Sequence, residues 1–176
     1  MPLFGGGSKR PKLDGLTKEE ELRRDALNPE VLRRAGEKGV AGQAPAALAI
    51  LKEKTEAEPA EFLWPCLLGR QLMSMGRPAP ALEAFAEAIR RDETEVRAHF
   101  GAGRAYFDAA EAKLDLGAAA SSEVTIGDLT VDNLYQEALR SFRRALEITT
   151  DKSERDQLSK AVSTVDKAIA KKAGRL

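Results

Sequence analysis

One cysteine and one histidine, Cys66 and His99, are the two residues of this chain with the chemistry of a thiol nucleophile and its base. Such a pair generates a reactive thiolate when the ring lies within hydrogen-bond reach of the sulfur and a third group orients the ring. They stand 33 residues apart on two helical patterns with a third between them, and neighbouring helices would have to bring them together. A plainer role fits Cys66 as well, that of a small apolar filler. No phosphate-cradling glycine loop, metal-spaced histidine cluster or serine-nucleophile elbow accompanies them. The Gly5-Gly6-Gly7 run precedes no strand pattern and has no mechanism attached. The expectation is a protein that is not an enzyme and uses no cofactor or metal.

Composition narrows the classes further. Lysine plus arginine equals aspartate plus glutamate, 28 each in 176 residues, so no net field draws in nucleic acid. Aromatic residues make up 5%, which points to a core of alanine and leucine, as close-packed helices require. A lone cysteine excludes an internal disulfide framework and a cysteine-rich zinc site, and it fits a reducing compartment. No stretch has the ~18 uninterrupted apolar residues of a membrane span. The start lacks the apolar core of a secretory signal. A soluble, cytoplasmic protein is expected.

The elements that must position any site are helices. Residues 1–16 hold three glycines in a row and a small basic group, and they are expected to be a disordered tail. Thr17 and Glu20 stand at capping-box distance, and Asn28-Pro29-Glu30 starts a second helix. Leu48, Ile50 and Leu51 mark a helix over Ala46 to Lys54 that ends before Pro59. From Phe62 to Glu95 the chain reads as two helices broken at Gly76-Arg77-Pro78. Val96 opens a long helix that has no breaker before Gly117. Asp132 is placed to cap a helix over Leu134 to Thr149, and Asp151 with Glu154 opens a last one. That last helix carries Leu158, Ala161, Val162, Val165, Ala168 and Ile169 on one stripe.

The pattern repeats internally. Leu68, Gly69 and Leu72 recur 34 residues on as Ala102, Gly103 and Tyr106. Ala81, Phe85, Ala88 and Ile89 recur 57 residues on as Ala138, Phe142, Ala145 and Leu146. Two helices per unit at a ~34-residue period, with these small and aromatic positions, resemble a tetratricopeptide repeat (TPR). The resemblance implies an all-α, right-handed array of helix-turn-helix repeats, an alpha-alpha superhelix. Residues 17–61 would then be leading helices with a degenerate repeat, and 62–150 two repeats, the second interrupted by an insertion around 109–133. Residues 151–176 would be a capping helix that closes the apolar end. The chain departs from the family pattern in several places. Pro65 takes the place of the early Trp, with Trp64 one residue out of register, and Glu93 replaces the closing proline. Lys54 falls where Ala88 and Ala145 stand in the later units.

In this family the first helix of each unit lines a concave face that holds partner peptides. The resemblance turns Cys66, Arg70 and Met73 toward that groove, and Phe100, Arg104 and Phe107 beside them one period on. Arg97 would add charge at the rim, and Asp108 would oppose it. It would place His99 where the family packs an aromatic ring, which gives the histidine a packing role. The implied partner is another protein or peptide with acidic and apolar residues. The same arginines also fit an ordinary solvated role, each tied to a nearby carboxylate. The lysine and asparagine clamp by which some members grip a chaperone's C-terminal carboxylate is missing, and chaperone-tail binding is not expected.

The insertion carries Val124, Ile126, Leu129 and Val131 around Gly127-Asp128, which suits a small hairpin, a lid or contact loop, or an unstructured excursion. Two other roles stay open for the whole chain. One is a structural subunit that self-assembles through the array ends as a homo-oligomer. The other is a peripheral membrane adaptor using Leu3 and Phe4, although so short a tip makes only a marginal anchor.

Overall fold

The structure, a computed structural model, describes residues 43–116 and 126–174. The regular elements there are six α-helices and no strand: α1 (Gln43–Ala57), α2 (Leu63–Ser74), α3 (Pro78–Arg91), α4 (Val96–Leu116), α5 (Val131–Ile148) and α6 (Lys152–Lys172). The described residues are all-α, as expected. The tail at 1–16, the leading helices before Gln43 and the insertion residue Val124 lie outside the described residues. Each helix packs against the next along the chain, and α2 also meets α4.

The boundaries follow from local chemistry. Helix α2 stops because Gly76 takes a left-handed φ of 70°, which costs glycine nothing. The Arg77 N–H then donates to the Leu72 carbonyl and the Gly76 N–H to that of Met73, the paired bonds of a Schellman ending. Pro78 begins α3 at a position whose N–H would have no helical partner. Helix α4 runs unbroken to Leu116, as its lack of breakers implied.

Helix α5 differs from expectation. It starts at Val131, and its cap is Thr130 rather than Asp132. The Thr130 hydroxyl accepts the Asn133 N–H at 3.2 Å, and the Asn133 side chain turns back to the Thr130 N–H and hydroxyl. That reciprocal pair satisfies donors that Asp132, already in the first turn, cannot reach. Asp132 bonds instead to the Lys172 ammonium at the far end of α6, at 2.7 Å. The Asp151 cap on α6 is present, accepting the Glu154 N–H at 2.8 Å.

The core has two connected parts. One joins Leu51, Trp64, Leu67, Leu72, Leu82 and Phe85 across α1 to α3, reaching α4 through Ala98, Ala102 and Ala105. The other joins α4 to α5 and α6 around Leu134, Tyr135, Phe142, Leu158 and Val165. Tyr106 and Ile126 touch both. Glycine sets the spacing between the helices. A Cβ on Gly69 or Gly101 would fall 2.7 Å or 2.3 Å from the Phe85 ring, and one on Gly103 would fall 2.7 Å from Phe142. Two fully buried phenylalanines therefore occupy the space that those glycines leave, drawing the helix backbones close.

Trp64 is an anchor against the preceding helix. It is buried, its Nε1 donates to the Glu58 carboxylate at 2.8 Å, and the Lys54 ammonium lies 5.9 Å from its ring centroid. Lys54 is partly exposed, unlike the fully buried Ala88 and Ala145, and its ammonium also pairs with Glu58 at 3.2 Å.

Candidate functional site

Helices α2 and α4 lie side by side where Phe85 meets Gly69 and Gly101, and this juxtaposition brings charged groups together at their surface. The α4 end of the cluster forms locally. Glu95, just ahead of Val96, accepts the Arg97 N–H at 2.9 Å and caps the helix start. The same carboxylate takes a bidentate pair from the Arg97 guanidinium, 2.6 Å to Nε and 2.8 Å to Nη2. This hydrogen bonding raises the Arg97 pKa. Burial pulls that of Arg70 on α2 below its ordinary value, with Cys66 and Arg97 as its electrostatic neighbours. Glu154 in the first turn of α6 also acts on Arg97. Two like-charged guanidiniums, Arg70 on α2 and Arg97 at the start of α4, therefore stand near each other, with the carboxylates of Glu95 and Glu154 acting on Arg97.

The seven expected groove residues divide. Arg70 and Arg97 come together, and Arg97 is the guanidinium that acts on Arg70, where Arg104 was expected to stack. Arg104 is exposed, its side chain 60% accessible, and is tied to Asp108 one turn on at 2.8 Å. Phe100 packs tilted against Phe142 of α5 at 5.5 Å between ring centroids, and Phe107 likewise against Tyr135 at 6.0 Å. Both rings are half-buried and serve the packing of α4 on α5. Met73 is half-buried against the first core region.

Cys66 is a correction: it is buried, 1% exposed, and presents no surface to a groove. Burial, followed by the Glu95 carboxylate, pushes its thiol up to about 11, the opposite of what a nucleophile needs. His99 is buried as well, and its Nε2 bonds to the Glu93 carbonyl at 2.9 Å. A carbonyl only accepts, so the ring proton sits on Nε2 and the ring is held as a donor. The pair is not arranged as a base activating a thiol.

The described part of the insertion is packed down. Ile126, Leu129 and Val131 lie against the core, and the Lys113 ammonium holds the Leu129 carbonyl at 2.6 Å. Residues 126–130 form a turn at Gly127-Asp128 and no strand. Behind them the buried Tyr135 hydroxyl donates to the Glu111 carboxylate, and burial followed by that bond raises the tyrosine pKa. Among the described residues no cluster of histidine, cysteine or carboxylate side chains could hold a metal ion, and no helix is long and apolar enough to cross a membrane.

Sequence reasoning missed Glu95, Glu154 and the buried Arg91. Glu95 carried a usable signal, an acid immediately before a helix start. Arg91 carried none, because its carbonyl partners lie 30 to 36 residues away. Comparison with protein families and with curated protein sequences finds no match to this chain.

Proposed function

We propose that this chain is a non-catalytic, cytoplasmic protein-interaction scaffold of the tetratricopeptide type. In this reading α2–α3 and α4–α5 are two repeats of a right-handed superhelix, α1 belongs to a degenerate repeat before them, and α6 is the cap. The observation that carries it is the repeated helix-pair interlock. Gly69 with Phe85 and Gly103 with Phe142 make the same glycine-to-ring contact, and Ala81, Ala88, Ala138 and Ala145 are buried at matching positions. Packing of α2 against α4 adds support, because arrays of paired helices stack each first helix on the next. The binding face is the one shared by α2 and α4, with Arg70, Arg97 and Arg104 as its cations and an acidic, partly apolar polypeptide as its partner.

The test is a pull-down from native extract with wild type beside Arg70→Glu/Arg104→Glu, after circular dichroism has established equal helix content. A protein retained by the wild type and lost by the double variant supports this face as the binding site. Retention by both moves the contact elsewhere and rejects it. One observation favours self-assembly as a second reading: Ile50 on α1 is 58% exposed. Light scattering would show a mass that rises with concentration and falls to monomer with Ile50→Lys.

A further inference from the structure

We infer that Arg91 latches α1 onto the helical stack, and that α1 undocks as a unit before the remaining helices open. The Arg91 side chain is only 6% exposed, and each of its three guanidinium nitrogens is hydrogen-bonded. Its Nη1 donates to the carbonyls of Glu58 and Glu61 at 3.0 and 2.9 Å, and its Nη2 to that of Thr55 at 2.9 Å. Its Nε is steered by the Glu87 carboxylate at 2.6 Å. Those three carbonyls belong to the last turn of α1 and the segment leaving it. A helix leaves its final carbonyls without partners and carries negative potential there, so one buried cation from α3 answers both needs.

Among the described side chains the apolar hold on this helix is small, and Trp64 of α2 adds a bond to Glu58 just past its end and a cation–π contact to Lys54. Of its residues from Leu48 to Ala57, Leu51 alone is fully buried, while Ala49, Ile50, Lys52 and Glu53 are exposed. Its main helix contacts are with α2, and residues of α1, α2 and α3 line a cleft of about 260 Å³, among them Lys52, Thr55, Leu68, Leu72, Ala84 and Glu87. Helices α2, α3 and α4, in contrast, are interlocked through Phe85 and buried alanines. An element held by directional polar bonds with few apolar contacts opens more readily than one held by a close-packed core. The helix pair α2–α3 therefore stays closed while α1 comes and goes, and undocking bares the Trp64 face of α2.

The full-length chain tests this by hydrogen exchange read by mass spectrometry, with Trp64, the only tryptophan, as an optical reporter of docking. In the wild type, amides of residues 48–62 exchange faster than those of 81–110. In Arg91→Gln the first group accelerates about tenfold or more, the loss expected for charge-assisted bonds to three carbonyls, while the second changes about twofold or less. Trp64 emission then shifts to the red at urea concentrations that leave most helix intact. Arg91→Lys restores part of the protection, because a point charge cannot serve three carbonyls and a carboxylate together. Equal protection of the two segments in the wild type would overturn the inference without any variant. So would acceleration of both segments together in Arg91→Gln, which would make Arg91 a general stabiliser.

Discussion

Replacing Gly101 with alanine should destabilise this protein, although glycine to alanine within a helix ordinarily stabilises. The new Cβ would lie 2.3 Å from Cε1 and 2.4 Å from Cζ of Phe85, so ring and helix must part by about 1 Å to restore van der Waals contact. The ring has nowhere to retreat, because the same edge already faces Gly69 and Phe85 is fully buried. Overpacking of this kind costs about 1–3 kcal/mol, against a helix-propensity gain of about 1 kcal/mol. The predicted net loss is about 0–2 kcal/mol, toward the upper end because the 2.3 Å approach is so close, with Gly69→Ala milder because its closest approach is 2.7 Å. Urea titrations followed by far-ultraviolet circular dichroism would measure it. In a Phe85→Leu background the alanine should cost at least about 1 kcal/mol less, the coupling expected of residues in direct contact. A Gly101→Ala variant as stable as wild type, or a strictly additive double variant, would refute the idea that glycine sets the approach of α2 and α4 to this ring.

Three further outcomes follow from the same packing. Glu87 is held down to about 2, chiefly by hydrogen bonds from Arg90 and then Arg91, against an ordinary 4.5. A depressed carboxyl stabilises the fold fully above its unfolded pKa and loses that contribution as pH falls. The urea midpoint should therefore drop between about pH 4.5 and 2, less steeply in Glu87→Gln; identical acid profiles would sink this. The Cys66 thiol, buried and pushed up to about 11, should resist Ellman's reagent at pH 8 until the chain unfolds, and rapid stoichiometric labelling of the folded protein would contradict that. Thr130→Ala removes the α5 cap and should cost about 1 kcal/mol, lowering Tm by about 3 °C.

Much of the candidate face could be read from residue types, and the rest depended on contacts that spacing does not encode. Arg70 and Arg97 both come from the expected set, which the resemblance to tetratricopeptide repeats assigned to the groove and its rim. Phe100 and Phe107 belong to the same stripe by period, yet α5 packs over them and turns them into core partners of Phe142 and Tyr135. Periodicity distinguishes the faces of one helix but does not say which face a later helix will cover. Cys66 went astray for the same reason. The resemblance turned it toward the groove, and the packed helices bury it in the core instead.

What the amino-acid sequence determined by itself is local. It set the helices, the Gly76-Pro78 break, the long unbroken α4, the Asp151 cap, and the Gly–Phe–Ala positions that recur between units. Each of these depends on backbone conformation, a missing Cβ or a neighbour within a turn or two, and those are written in adjacent residues. Only the tertiary structure decided that Trp64 would bind back to Glu58, that Asp132 would pair with Lys172 at the far end of α6, and that Arg91 would close on carbonyls more than thirty residues away for two of its three bonds. Such choices compare competing partners in three dimensions. Burial and hydrogen-bond satisfaction decide among them, and neither exists until the helices have packed.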